Sequence, residues 1–173
     1  MKIKFIDIGK QYASLRDEIL KKFDNISLSG NYVLSKELET FEENFASLCQ
    51  TKYAIGVGNG SDALYLGLKA LGIGSGDEVI TAPNSFVATA WVIANTGATI
   101  RFCDVDENMN IDPELIESVI SKKTKAILPV HLTGRIADMD RINLIAKKYN
   151  LFVIEDAAQA VGAIYKNKKA GSF

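Results

Sequence analysis

The sequence predicts an α/β fold with a largely parallel sheet. Short β-rich runs alternate with stretches of helical periodicity, the pattern of strand–helix–strand units. The 173 residues, 47% hydrophobic and 24% charged, suit one globular domain with a real core and are marginal for two. No repeat of solenoid length, low-complexity tract or Pro/Ser-rich linker interrupts the series.

The elements follow in order. Gln11 to Asn25 is amphipathic, with Leu15, Ile19, Leu20 and Phe23 at helical spacing, and predicts a helix. Ser27 to Tyr32 predicts a loop. Ser35 is placed to cap a second helix, with Glu37 and Glu39 in the first turn, where the helix dipole favours negative charge. Leu34, Leu38, Phe41, Phe45 and Leu48 share one face of that helix, which therefore packs on something.

From Tyr53 the chain becomes regular. A strand over Tyr53–Val57 leads through Gly58-Asn-Gly-Ser into a helix ending near Gly72. A strand over Glu78–Ala82 leads through Pro83 into a helix ending near Gly97, and a strand over Thr99–Phe102 runs into Asp104-Val-Asp106. Asp112-Pro113 is a helix start, a capping residue followed by proline in the first turn. A strand over Lys125–Val130, a helix from about Asp138 to Tyr149 and a strand over Leu151–Ile154 complete the series. Ala163 to Gly171 reads as a short hairpin with a polar turn.

Composition excludes several functions. Twenty basic residues are balanced by 21 acidic ones, a net charge of −1, which gives no electrostatic case for nucleic acid or an anionic membrane. No apolar run approaches the ~20 residues of a membrane span. The start, Met1-Lys-Ile-Lys-Phe, lacks the features of a signal peptide. Cys49, Cys103 and the single His131 share no metal-binding spacing, so no metal is expected, and two reduced thiols fit a cytoplasmic protein.

In a parallel α/β sheet, ligands bind beyond the carboxyl ends of the strands. Those positions hold Gly58-Asn-Gly60-Ser61-Asp62, Asn84-Ser-Phe86, Asp104, Pro129-Val-His131 and Glu155-Asp156-Ala-Ala-Gln159. Glycines, a hydroxyl, an aromatic ring and a carboxylate on one rim suggest a planar anionic cofactor. Free N–H groups at a glycine-rich helix start suit a phosphate, although an unliganded strand-to-helix turn has the same composition. Ser61 stands where a dinucleotide fingerprint needs its last glycine, and no Gly-Lys-Ser/Thr occurs, so the dinucleotide and P-loop motifs both fail. Asp156 follows the apolar run Leu151–Ile154, where a charge needs a partner; a protonated pyridine nitrogen would serve, and so would the cap of a turn. Phe86 is placed to stack on a ring or to enter the core. His131 is placed either to shuttle a proton or to be hydrogen-bonded structure.

Taken in order, these segments resemble the DegT/DnrJ-type sugar aminotransferases, members of fold-type I of the pyridoxal 5′-phosphate (PLP) enzymes. The matching stretches are Gly30-Asn-Tyr-Val-Leu-Ser-Lys-Glu-Leu-Glu-Thr-Phe-Glu, Gly58-Asn-Gly-Ser-Asp-Ala-Leu, Gly76-Asp-Glu-Val-Ile-Thr-Ala-Pro-Asn-Ser-Phe-Val-Ala-Thr, Phe102-Cys-Asp-Val-Asp, Pro129-Val-His-Leu-Thr-Gly and Val153-Ile-Glu-Asp-Ala-Ala-Gln-Ala-Val-Gly-Ala. The resemblance implies a three-layer α/β/α architecture with a mainly parallel sheet, the large PLP-binding domain of fold-type I, incomplete at its C-terminal end. It divides the chain into an N-terminal helical segment, 1–50, and a partial large domain, 51–173.

The resemblance also implies roles. Gly60 and Ser61 would hold the cofactor phosphate, Phe86 would stack on the pyridine ring, Asp156 would pair with the ring nitrogen and Gln159 would reach the phenolic oxygen. Ser29, Gly30 and His131 would lie in the vicinity of the active site, the first two near that of a neighbouring subunit. Thr133 stands where tyrosine is common. The implied reaction moves an amino group from glutamate to a nucleotide-linked keto sugar, in a cytoplasmic homodimer. The Schiff-base lysine of the family falls shortly after the position of Phe173, so no catalytic lysine is expected here. Lys166, Lys168 and Lys169 read as solvated charge in the hairpin turn.

The chain therefore reads as an N-terminal fragment in which Tyr53–Val57 would lack the strands that pair with it in the family, expected to be poorly stable and inactive when made alone. The competing readings are a fragment of a PLP-dependent sugar dehydratase, in which histidine replaces the lysine, and a non-catalytic regulatory or scaffold protein that keeps the fold.

Overall fold

The computed structural model describes residues 3–173 and divides into two compact units, one ending at Phe41 and one running from Glu42 to Phe173. In the first, α1 spans Ile8–Ser29. It is longer than the periodicity predicts, because its stops lie further out. The Asp7 carboxylate caps the start by accepting the Lys10 N–H, and Gly30, at φ 70°, ends it by donating to the Ile26 carbonyl. Ser27, Leu28 and Ser29 are thus helical, not loop. The second helix, α2, spans Lys36–Cys49 and crosses into the second unit. Ser35 precedes it, and the backbone N–H of Glu37, with help from the Ser35 hydroxyl, holds the Glu37 carboxyl below its usual range.

The second unit contains α3 (Gly60–Ala70), β1 (Glu78–Thr81), α4 (Val87–Asn95), β2 (Thr99–Phe102), α5 (Pro113–Val119), β3 (Thr124–Leu128), α6 (Met139–Tyr149), β4 (Phe152–Val153) and a hairpin of β5 (Ile164–Tyr165) and β6 (Lys168–Lys169). The four larger-sheet strands lie in the order β2-β1-β3-β4, every pair parallel. Side chains alternate across this sheet with the period of two that a strand dictates. Val79, Ala126 and Leu128 pack with Leu68, Val92 and Ile93 of α3 and α4. Ile80 and Ile127 pack with Ile116, Met139 and Ile142 of α5 and α6 on the other face. Both faces of the two central strands are covered, which is why Val79-Ile80 in β1 and Ala126-Ile127-Leu128 in β3 are consecutive buried apolar residues, whereas the edge strand β2 stays largely exposed. This is the predicted three-layer arrangement.

One predicted strand is missing. Tyr53–Val57 has no regular secondary structure and belongs to no sheet, and Tyr53 and Ile55 are 72% and 81% exposed. Its alternating apolar pattern fits a strand, but a strand needs a neighbour's ladder, and none of the described strands lies alongside. The Gly56 N–H instead donates to the Glu42 carboxylate of α2 at 2.7 Å. Of the apolar face predicted on α2, Phe45 turns to a cavity described below, whereas Leu48 stays 46% exposed.

Cys103 lies just past β2, and burial, reinforced by the Asp112 and Asp104 carboxylates, pushes its thiol up to about 11. The sulfur donates to the Asp112 carbonyl at 3.6 Å. A thiolate is therefore disfavoured well above neutral pH. At pH 8 iodoacetamide is expected to label the half-exposed Cys49 and leave Cys103 unlabelled until urea is added. Equal labelling rates in the native chain, read by mass spectrometry, would contradict the burial described here.

Candidate functional site

The carboxyl ends of the parallel strands gather the groups that can do chemistry, and each is placed by a local device. The α3 helix starts at Gly60 behind Asn59, whose Oδ1 accepts the Asp62 N–H at 2.9 Å and whose carbonyl accepts the Ala63 N–H. That leaves the Gly60 and Ser61 N–H groups with no acceptor among the described residues. A Cβ added at Gly60 would meet open space, so the helix end is accessible to a ligand. Asn59 Nδ2 also draws the Asp62 carboxylate back at 2.9 Å, against a Gly58 whose added Cβ would lie 2.8 Å from that carboxylate oxygen.

The segment after β4 extends the sheet by one bridge. The Asp156 N–H donates to the Pro129 carbonyl and the His131 N–H to the Asp156 carbonyl. In such an extended chain, adjacent side chains point to opposite faces. Glu155 and Asp156 do so, and they do different things.

Glu155 turns inward, its side chain 7% exposed. Its Oε2 lies 2.9 Å from His131 Nε2 and accepts the Gly171 N–H at 2.8 Å; its Oε1 accepts the Phe173 N–H at 2.7 Å. His131 Nδ1 accepts the Ala137 N–H, so the ring hydrogen sits on Nε2 and is donated to Glu155. His131 is fully buried with both nitrogens occupied. It lies beneath the rim as a structural tie, and its ring has no free nitrogen to move a substrate proton.

Asp156 turns the other way. Its Oδ2 accepts from the Thr89 hydroxyl at 3.2 Å and its Oδ1 from the Ala158 N–H at 3.3 Å. Asp156 and Gly60 line the same cavity, of about 370 Å³ and mostly apolar, with Phe45, Tyr53, Leu64 and Val161. Phe86 stands at the N-cap of α4 with its ring 70% exposed, free to face a ligand and absent from the core. Gln159 lies in the turn that follows Asp156. Its Oε1 accepts the Thr133 N–H at 2.8 Å, which orients the amide and leaves its NH₂ group as the outward donor. Thr133 takes φ 55° to make this contact. Asn110 supports the loop, its Oδ1 accepting the Leu132 N–H and its Nδ2 donating to the Arg135 carbonyl.

The structure therefore brings together Gly60 and Asp156, and it sets Phe86 on the helix that carries Thr89. Ser29 and Gly30 lie in the first unit, at the end of α1, where the Ser29 hydroxyl donates to the Ile26 carbonyl. Sequence reasoning gave Thr89, Asn110 and Glu155 no role. Thr89 had a readable signal, a hydroxyl at a buried position of an otherwise apolar helix.

The hairpin lysines are tied up elsewhere. Lys166 Nζ donates to the Asp140 carboxylate, which holds its ammonium above the usual range, the reverse of what a nucleophilic amine requires. Lys168 lies over the Phe173 ring, and Lys169 reaches the Gly162 carbonyl. Among the described residues there is no cluster fit for a metal, and no helix is long and apolar enough to cross a membrane.

This chain is similar to known proteins. Residues 13–173 match the DegT/DnrJ/EryC1/StrS aminotransferase family. A dTDP-3-amino-3,6-dideoxy-alpha-D-galactopyranose transaminase of Aneurinibacillus thermoaerophilus is 49% identical, over 99% of this chain and 47% of its own length. A "pleiotropic regulatory protein" of Geobacillus stearothermophilus is 45% identical, over 100% of this chain and 47% of its own. Among solved structures, S. venezuelae DesV in complex with a ketimine intermediate superposes with a TM-score of 0.97 at 42% identity, over 99% of this chain and 47% of that one. Bacillus subtilis NtdA with bound cofactor PMP gives 0.89 at 37% identity, over 93% and 38%.

The fold is that of the fold-type I aminotransferases. The chain belongs to the DegT/DnrJ/EryC1/StrS aminotransferase family. It spans about half the length of the curated relatives it matches.

Proposed function

We propose that this chain supplies most of the cofactor cradle of a PLP-dependent aminotransferase that moves an amino group from glutamate to a nucleotide-linked keto sugar. The observation that carries the reading is Asp156: a carboxylate with a donor already on each oxygen, in a residue that lines the same cavity as Gly60 at a helix start. A pyridine phosphate carries a group for each, a protonated ring nitrogen and a phosphate. Gly60 and Ser61 would take the phosphate, Asp156 the protonated ring nitrogen, Phe86 the ring face and the Gln159 NH₂ group the phenolic oxygen. When bound, PLP supplies an electron sink for the carbon that carries the amino group. Asp156 would keep the ring nitrogen protonated, and the apolar cavity wall would lower the local polarity around that partly enclosed ion pair.

The amino acceptor and donor, a cytoplasmic homodimer and a place for Ser29 and Gly30 near the neighbouring subunit's site belong to the same proposal. The named activity of the Aneurinibacillus relative supports it.

Calorimetry with pyridoxamine 5′-phosphate tests the cradle, since this form has no aldehyde to react with surface lysines. Saturable binding at one site per chain is expected. Binding no stronger than that of inorganic phosphate would remove the reading. For the reaction, the gene product that contains this chain is expected to convert a nucleotide-linked keto sugar to an amino sugar with glutamate present. The regulatory relative from Geobacillus favours a second reading, a regulator that keeps the fold. Cofactor binding without any amino transfer by that gene product would favour it.

A further inference from the structure

We propose that Thr89 and Ser85 form a directed hydroxyl relay that sets the Asp156 carboxylate, with Thr89 as a positioning residue for the cofactor ring. The inference rests on the cofactor reading above. The Thr89 Oγ1 lies 3.2 Å from Asp156 Oδ2 and 3.0 Å from Ser85 Oγ. A carboxylate only accepts, and Thr89 has one hydroxyl hydrogen, so that hydrogen goes to Asp156. Ser85 must then donate to Thr89. The order is fixed: Ser85 hydroxyl to Thr89 oxygen, Thr89 hydroxyl to Asp156.

Three features set this apart from incidental packing. Thr89 is 2% exposed, on a helix whose other buried side chains, Val92 and Ile93, are apolar. A hydroxyl buried there costs stability unless it is bonded, and both of its bonds lie within the relay. A helical threonine ordinarily bonds back to the carbonyl four residues earlier; here the hydroxyl turns to a carboxylate 67 positions away in sequence. Finally, the relay leaves from the same turn of α4 as Phe86. One rigid element therefore carries the ring-stacking candidate and the group that orients the ring's ionic partner. With the Ala158 N–H on the other oxygen, the carboxylate plane is pinned before a ligand arrives.

The test uses Thr89→Val, which keeps the shape without the hydroxyl, and Thr89→Ser, which keeps the hydroxyl. Pyridoxamine 5′-phosphate is expected to bind Thr89→Val about ten-fold more weakly and Thr89→Ser within about two-fold of the parent. In an Asp156→Asn background, Thr89→Val should add little, because the relay acts through the missing charge. Equal binding by the parent and Thr89→Val overturns the proposal, as does a full ten-fold loss in the Asp156→Asn background. A second readout needs no ligand. With ¹³C-carboxyl-labelled aspartate, the Asp156 signal, assigned by its absence in Asp156→Asn, should shift in Thr89→Val and stay in Thr89→Ser. An unmoved signal in Thr89→Val overturns the relay. A parent chain that does not bind the ligand but shows the shift retains the relay and removes only the cofactor reading.

Discussion

Glu155→Ala is expected to cost about 3 kcal/mol of stability, the largest loss from any single polar change in the second unit. The carboxylate is nearly enclosed and accepts three hydrogen bonds, from the His131 ring and from the Gly171 and Phe173 backbone. Removing it leaves a fully buried imidazole N–H without its acceptor and frees the end of the β5–β6 hairpin. Phe173, which packs edge-on against Tyr165 with ring centroids 5.7 Å apart and touches the α5–α6 core, loses its backbone anchor. Glu155→Gln should recover part of the loss, because its carbonyl oxygen accepts from one side while its NH₂ group opposes a donor on the other. Urea denaturation measures the free energies, and hydrogen exchange at Gly171 and Phe173 reports the anchor. A Glu155→Ala chain with an unchanged urea midpoint would mean that water replaces all three bonds.

Glu155 also shows where sequence reading stops. The turns were legible because strand ends and helix starts are set by periodicity and capping, and these placed Asp156 and Gln159 past the last strand of the sheet and Gly60 at a helix start. The layers were legible for the same reason: Val79 and Ile80, or Ala126 and Ile127, sit side by side in sequence and serve opposite cores. What a side chain reaches was not legible. Two neighbouring acids, Glu155 and Asp156, look alike in a string, and only the pleat sends one to a buried histidine and the other to the Thr89 hydroxyl. The Thr89 partner is equally remote in sequence. Tyr53–Val57 stands unpaired for a different reason. Its pattern is that of a strand, but pairing depends on a neighbour, which local sequence does not contain.

Asp156→Ala is expected to weaken pyridoxamine 5′-phosphate binding about 30-fold or more, through loss of a charge-assisted bond in a largely apolar cavity. The effect should fall on the ring end alone. Inorganic phosphate, competing only for the helix start, is expected to bind the variant as it binds the parent, because the Gly60 and Ser61 donors are set by Asn59 and owe nothing to Asp156. Gly60→Val should do the opposite. Its side chain would fill the open space over the helix end and displace phosphate, while the carboxylate keeps both of its donors. Calorimetry with both ligands on both variants gives four affinities that separate the two ends of the cradle. If Asp156→Ala loses phosphate as well, with its circular dichroism intact, the carboxylate organises the cavity instead of meeting the ring. Asp156→Asn refines the point. It keeps the size and one acceptor but no charge, so its loss relative to the parent measures the ionic part of the contact. Raising the ionic strength should then weaken the parent more than Asp156→Asn, since the charge pair is only partly enclosed and salt screens what solvent can reach.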